Sequence, residues 1–575
     1  MSGVGAADAG DYTAAQEKVW MQLNFMARRP LVGLGAAFVI GNAVGLSTGD
    51  WQGAAWAWLA VAALWLMSRR VNRLTRLQVF ATLLVALATG WLGAAIAVDR
   101  SNAEVAGLER SASARSVTVC GIVDGDVEFF TLKNGSSACH FALRDVAVCD
   151  GTITNHPHAT PIFVTWYGVS QKFGMRDFLP ATGERWQFSG KMLVSHNGAF
   201  RKTHATLRTH AKSAHKLAPA SLREWRTLTD RARQEMAARM TRGIEDWGAV
   251  PSLVQAIFLG MRRDIPPDLL EIFRNSGIVY AFAIAGMHVA IVAVFVIGLL
   301  SFLGVPRHWW CVPLAPALFF YTAATGMSAS ALRACLMACL YFGAPLIGRR
   351  PDKLSTLVAA AVIALGIAPF QLQDAGFCLS FAVMGGLLLL FPSLAKIFKR
   401  WLRVDDATLA ERATNELGGE ISAAVKWRHR ARVRVQRWLA DVVAIALAAW
   451  LCSAPLTAYY FGRLTPGSLL ASLPVAPALF GVGLASCCGF LAGIFSPWAE
   501  AIFNNAAGGL AQALVWVARM VAGLPGGSMM IAPPSAWMIA CWYGALILLT
   551  WWLWRLTRET GTSTDWLTKS PEDED

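Results

Sequence analysis

Apolar runs of about 20 residues recur along most of this chain, and a run of that length spans the roughly 30 Å hydrocarbon core of a bilayer as a helix. They fall at about 31–47, 52–67, 78–98, 276–304, 309–325, 330–347, 354–369, 375–395, 439–461, 467–495, 499–524 and 535–554. Composition agrees: 15% of the 575 residues are charged, against about 25% in soluble domains. The expected fold is a polytopic α-helical membrane protein of about 12 helices. The run at 354–369 is short, and the glycine-rich run at 499–524 is either re-entrant, interfacial or spanning.

Two stretches interrupt the pattern. Residues 99–250 and 396–438 hold most of the polar material, and the formal net charge is +14. Arg28 and Arg29, Arg69, Arg70, Arg73 and Arg76, and Arg349, Arg350 and Lys353 sit in short links. The positive-inside bias places these in the cytoplasm. Three crossings from an inside N-terminus then put 99–215 outside, and the basic loop 396–438 and the tail 555–575 inside. The segments "SVTVCGIV", "CHFALRDVAV", "TPIFVTWYGV" and "GERWQFSGKMLV" have strand alternation between turn residues, so the insert is a small all-β domain. Residues 216–262 follow as linker and amphipathic helices, and 263–554 as the main membrane domain. In an oxidising compartment Cys120, Cys139 and Cys149 would allow one disulfide among them.

Ionisable groups within apolar runs are functional candidates by default. His288 stands in "AFAIAGMHVAIV", where Gly286 permits a helix break and small residues allow close helix approach. It either lines a polar path or bonds across a helix interface. Arg333, in "TGMSASALRACLMACL", either snorkels to headgroups or faces a polyanion, with Ser328 and Ser330 beside it. Asp374 is placed to cap a helix carrying Gly376, Phe377 and Ser380.

Taken in order, "LGMRRDIPPDLLEIFRNSGIVYAFAIAGMHVAIV", "TGMSASALRACLMA", "DAGFCLSFAVMGGL" and "APLTAYYFGRLTPGSLLASLPVAP" resemble the signatures of the ComEC-type competence family of DNA-uptake channels. The strand-rich segment ending "PATGERWQFSGKML" is similar to that family's external OB-like domain. The chain departs from the family pattern at Tyr280 and Ala285, where a His and a Ser are usual, and at Ala329 and Ser472.

The resemblance implies an inner-membrane channel that passes single-stranded DNA into the cytoplasm and is not itself an enzyme. Its path would include Gly286, His288, Ser328, Ser330, Arg333, Gly376, Phe377, Ser380 and Arg262, and its outer DNA contacts Trp166, Tyr167, Arg201, Lys202 and Arg208. No cofactor or metal is expected. No H-x-H-x-D-H cluster of the metallo-β-lactamase type occurs and no Walker-type loop. Partners would be single-stranded DNA, membrane lipid, a separate DNA receptor, a cytoplasmic ATP-driven motor and a nuclease, and the chain is compatible with an oligomer. The rival readings are a transporter of a small or lipid-linked anionic solute, which would show internal repeats not evident here, and a relative that no longer conducts.

Overall fold

The computed structural model describes residues 30–70, 75–112, 117–131, 137–150, 153–154, 162–167, 180–196, 203–219, 225–261, 264–282, 286–326, 329–402, 423–524 and 527–559. Contacts divide the chain into two units, Met1–Ala238 with Val296–Asp374, and Arg239–Phe295 with Ala375–Asp575.

The first unit opens with three helices, α1 (Pro30–Thr48), α2 (Trp51–Arg70) and α3 (Thr75–Ala112). Gly41 and Gly45 of α1 form a G-x-x-x-G face against α3. A side chain at Gly41 would run into the Leu87 carbonyl, and one at Gly45 would come within 2.7 Å of the Ala94 methyl. Such small-residue faces replace the hydrophobic driving force that lipid does not supply. At 1.5 Å per residue the 38 residues of α3 reach about 57 Å, so the helix continues past its apolar part. Residues 99–112, expected to begin the β domain, are therefore helical and carry the chain towards it.

The β domain consists of β1 (Val117–Thr131), β2 (Ser137–Asp150), β3 (Ile153–Thr154), β4 (Ile162–Tyr167), β5 (Arg185–His196) and β6 (Thr203–Ala218). The order is β1-β5-β6-β4-β2, with β1 also pairing β2 and β3 extending the β2 edge. Five strands thus close into a barrel in which only β4 and β6 run parallel. This is the strand arrangement of an OB-like barrel. Val119, Leu143, Ile162, Phe188 and Leu207 fill it, as the alternating sequence requires.

The remaining elements of this unit are α4 (Trp225–Met240), whose last residues enter the second unit, the C-terminal part of α7 (Gly286–Phe302), α8 (Cys311–Ala324), α9 (Ala329–Gly343) and α10 (Lys353–Ile367). Phe370 and Leu372 of the short 3-10 turn Pro369–Gln373, half-buried, pack against Leu46 of α1 and Val98 of α3.

The second unit contains α5 (Val250–Leu259), α6 (Pro267–Asn275), the start of α7, α11 (Ala375–Trp401), α12 (Ala423–Phe461), α13 (Gly467–Ala492), α14 (Pro497–Ala522) and α15 (Ala536–Glu559). Two-residue strands β7 (Arg463–Leu464) and β8 (Met529–Met530) pair between the helices. Helices α11 and α12 pack through Leu390, Leu394, Ala444 and Ala448, with α15 added through Leu546 and Leu553. The Tyr543 hydroxyl donates to the Cys452 carbonyl at 2.6 Å.

Among the described residues, eight helices are long and apolar enough to cross a membrane: α1, α3, α9 with its 3-10 extension, and α11 to α15. The four other runs read as crossings form α2, α7, α8 and α10. The last three are shortened because glycines, prolines and 3-10 turns end them early; the 15 residues of α10 cover only about 22 Å. The run at 499–524 is one continuous helix, α14.

Candidate functional site

Within the second unit the break in the first membrane motif is the best-built site. Helix α6 ends at Asn275. The Ser276 side chain, fully buried, donates to the Phe273 carbonyl at 3.1 Å. Gly277 then turns the chain with φ +72°, a conformation that glycine adopts without Cβ strain. A Cβ there would stand 2.7 Å from Thr465 Cβ and 3.1 Å from Ser468 Cβ.

A 3-10 turn over Val279–Phe282 follows, its Phe282 ring 4.6 Å from that of Phe273, and α7 starts at Gly286. The chain thus interrupts its helix where the sequence has Gly277 and Gly286, and irregular backbone at membrane depth is tolerated only inside protein or beside a water-filled space. His288 lies in the first turn of α7 and is 1% exposed; it is buried in protein and does not face lipid. Three residues on, Ile291 packs against Gly483 of α13, where a Cβ would come within 2.9 Å of it.

The partners of this break come from "RLTPGSLLASLP". Arg463 donates to the Asn275 side chain at 3.5 Å, and Gly467 N–H donates to the Gly527 carbonyl at 3.0 Å. The hydroxyls of Ser468 and Ser472 return to the Thr465 and Leu469 carbonyls at 2.6 and 2.8 Å. The first and fourth motifs, nearly 190 residues apart, therefore meet through Gly277, Thr465 and Ser468.

The third motif opens α11, with Asp374 immediately before it. Phe377 is buried with its ring 4.4 Å from Phe381, Ser380 is half-buried and Gly376 is exposed. The second motif belongs to the first unit. There Arg333 of α9 is 2% exposed, so it does not snorkel, and Ser330 is half-buried. Ser328, Arg262, Arg201 and Lys202 lie outside the described residues.

In the barrel, Trp166 is corrected from surface contact to core. It is 5% exposed, with Trp186 and Phe188 at 5.9 and 5.7 Å between ring centroids. The outer face carries other groups. Register aligns His140, Thr165, Arg208 and Lys191 across β2, β4, β6 and β5. His140 stacks on Phe163 at 5.4 Å, and Tyr167 lies 5.8 Å from His210. Arg208, His210 and Lys191 are exposed. At the start of β5, where Trp186 pairs with Lys216, Glu184 accepts from Lys216, from Trp186 Nε1 at 2.8 Å and from Ala181 N–H at 3.0 Å. Burial pushes its carboxyl up, but these donors outweigh burial and hold it below the usual range.

The disulfide expectation meets a register limit. Cys120 pairs with Ala147 and Cys139 with Phe129, which separates Cys139 from both Cys120 and Cys149 by roughly 25 Å or more along the strands. That is far beyond the about 7 Å between Cα atoms that a bridge tolerates. The side chain of Cys149 lies outside the described residues.

A second cluster escaped the sequence reading. Glu500, in the first turn of α14 and 1% exposed, accepts from Arg239 Nε at 2.9 Å and from Arg242 at 3.1 Å. The Asn504 amide donates to the backbone carbonyls of the same two arginines at 2.9 and 3.1 Å. Arg239 also lies 5.6 Å over the Phe490 ring. The signal available in sequence was a carboxylate inside an apolar run.

Membrane-length helices joined to an OB-like barrel, with a broken and protein-buried helix start, define a multi-pass membrane protein that carries a small β domain. Residues 257–556 match the family described as Competence protein, and the chain belongs to that family.

It is 32% identical to ComE operon protein 3 of Bacillus subtilis (strain 168) over 137 residues, covering 24% of this chain and 18% of that protein. It is 22% identical over 285 residues to Uncharacterized protein YcaI of Escherichia coli (strain K12), covering 47% and 37%. The matched parts thus span well under half the length of these relatives.

Among solved structures, 18% of the chain resembles the N-terminal domain of PriB protein from Thermoanaerobacter tencongensis, with 17% identity, TM-score 0.12 and 98% of that chain covered. The same share resembles a Plasmodium falciparum SSB complex with ssDNA, with 14% identity, TM-score 0.13 and 95% covered. The OB-like fold of the barrel is defined by its own strand order.

Proposed function

We propose that this protein is an inner-membrane channel that passes single-stranded DNA into the cytoplasm in natural transformation, with both termini cytoplasmic. The observation that carries the reading is the meeting of the first and fourth competence motifs at the helix break, with His288 buried beside it. A phosphodiester strand cannot cross hydrocarbon unhydrated, and a broken helix with an imidazole and hydroxyls nearby is suited to line a polar path. Few cations there would let the strand move on, since phosphate contacts accumulate. On this reading the chain conducts and does not catalyse. A separate receptor, motor and nuclease supply capture, energy and strand removal, and the barrel row Lys191, Arg208 and His210 with Tyr167 meets the strand outside.

The test is DNA uptake into a DNase-protected cytoplasmic pool in a deletion strain complemented with wild type or His288→Leu. Wild type is expected to restore uptake and His288→Leu to lower it at normal membrane abundance. No difference between deletion and wild type would refute the channel.

A further inference from the structure

A cavity of about 290 Å³ opens between the Trp247–Leu253 segment, α6 and the second half of α14, close to the roughly 300 Å³ at which small-ligand sites begin. Its floor is apolar, from Leu253, Leu269 and Val515, all buried. At its rim stands Trp247, 43% exposed, its ring packed where Gly508 leaves space. Three polar groups reach the same cavity: Asp268, Gln512 and Arg519.

Gln512 and Arg519 lie seven residues apart on α14 and so share one helix face. All three are exposed, and among the described residues none makes a hydrogen bond or ion pair with its side chain. An apolar slot with an aromatic wall, one carboxylate, one amide and one guanidinium is therefore left uncommitted to the fold.

We infer that this cavity is a station for one nucleotide of a single strand, an inference that rests on the channel reading above. The base lies on the apolar floor against Trp247, as bases stack on aromatic side chains in single-strand binders. Arg519 takes the phosphate, where a carboxylate would repel it. Asp268 and Gln512 take the base edge. A carboxylate only accepts, so Asp268 favours a base with an exocyclic amino group, as carboxylates do with cytosine N4, over thymine, whose N3–H donor is flanked by two carbonyl oxygens that repel a carboxylate. Cytosine and adenine offer that group and thymine does not. The station consequently favours oligo-dC and oligo-dA over oligo-dT.

The experiment uses the full chain in lipid nanodiscs and fluorescence anisotropy with 12-nucleotide oligo-dC and oligo-dT. Wild type is expected to bind oligo-dC about fivefold more tightly, the worth of roughly one hydrogen bond. Asp268→Ala should erase that preference, and Arg519→Gln should weaken both oligonucleotides alike. Asp268 and Arg519 are exposed, so both variants should fold, and an unchanged thermal midpoint checks this.

Equal binding of the two oligonucleotides by wild type, or a preference unaltered in Asp268→Ala, overturns the station. So does release of bound phospholipid as the only effect of Arg519→Gln. The uptake assay separates the two readings: if wild type restores uptake while the cavity variants bind and pass DNA as wild type does, the station falls and the channel stands. If wild type restores none, the channel falls.

Discussion

Replacing Glu500 by Gln tests whether the end of α4 and the linker after it are fixed to α14 by charge. Glu500 is 1% exposed and accepts from two guanidiniums, at 2.9 Å from Arg239 and 3.1 Å from Arg242. A hydrogen bond to a charged group is worth about 1.5–3 kcal/mol, which gives an upper figure of about 3–6 kcal/mol for two. The arginine side chains are 25% and 50% exposed, so water replaces part of each contact, most of it at Arg242. The amide keeps the volume and one acceptor. The expected loss is about 2–3 kcal/mol.

A double-mutant cycle apportions it: Glu500→Gln with Arg239→Gln should show coupling of about 1–2 kcal/mol, and with Arg242→Gln less than about 1 kcal/mol. The assay is reversible unfolding in mixed micelles followed by tryptophan fluorescence. A change below about 0.5 kcal/mol, typical of an exposed pair, or the reverse ranking of the two arginines would show that the Glu500 cluster does not hold the end of α4 to α14.

Four further outcomes follow from the same geometry. Trp166→Ala should destabilise the barrel by about 3–5 kcal/mol, the usual cost of deleting a core aromatic. Arg208→Ala and Lys191→Ala should leave its stability within about 0.5 kcal/mol, and each should lower the salt slope of oligonucleotide binding by about 1; thermal melts and salt titrations check these. Because the Glu184 carboxyl is held below its unfolded value, its contribution is present above the ordinary carboxylate range and is lost as pH falls through the lowered folded value. Thermal midpoints against pH should show an acid-side decline that is shallower in Glu184→Gln. Gly277→Ala meets both a φ of +72° and the Thr465 side chain at 2.7 Å, so it should cost more than the about 1 kcal/mol of a strained backbone alone and lower membrane abundance, which immunoblotting of membranes measures.

Much of the architecture was legible because bilayer length and strand alternation are local properties. Apolar runs marked the membrane helices, and period-two segments marked four of the barrel strands. Gly286 marked the start of α7, since a helix break needs only a local residue. Glycines and short runs also shortened three helices, but the extent of shortening depended on neighbours: the end of α6 turns at Gly277 because Thr465 and Ser468 lie against it, a contact between residues nearly 190 positions apart.

Side-chain facing was the least readable property. Trp166 and Tyr167 are adjacent and similar in chemistry, yet barrel closure buries the first and leaves the second on the outer face, because successive residues of a strand point to opposite sides. Which side is inside is set by pairing with β2 and β6. In the same way Glu500 reads as an isolated charge in an apolar run until the fold brings Arg239 and Arg242 to it from more than 250 residues away. Neighbours along the chain were thus enough to mark the apolar helices, the β insert and the start of α7 at Gly286. Which helices reach spanning length, which motifs meet, which aromatics are core and which charges pair came from the fold, since burial and Coulomb energy depend on distances in space.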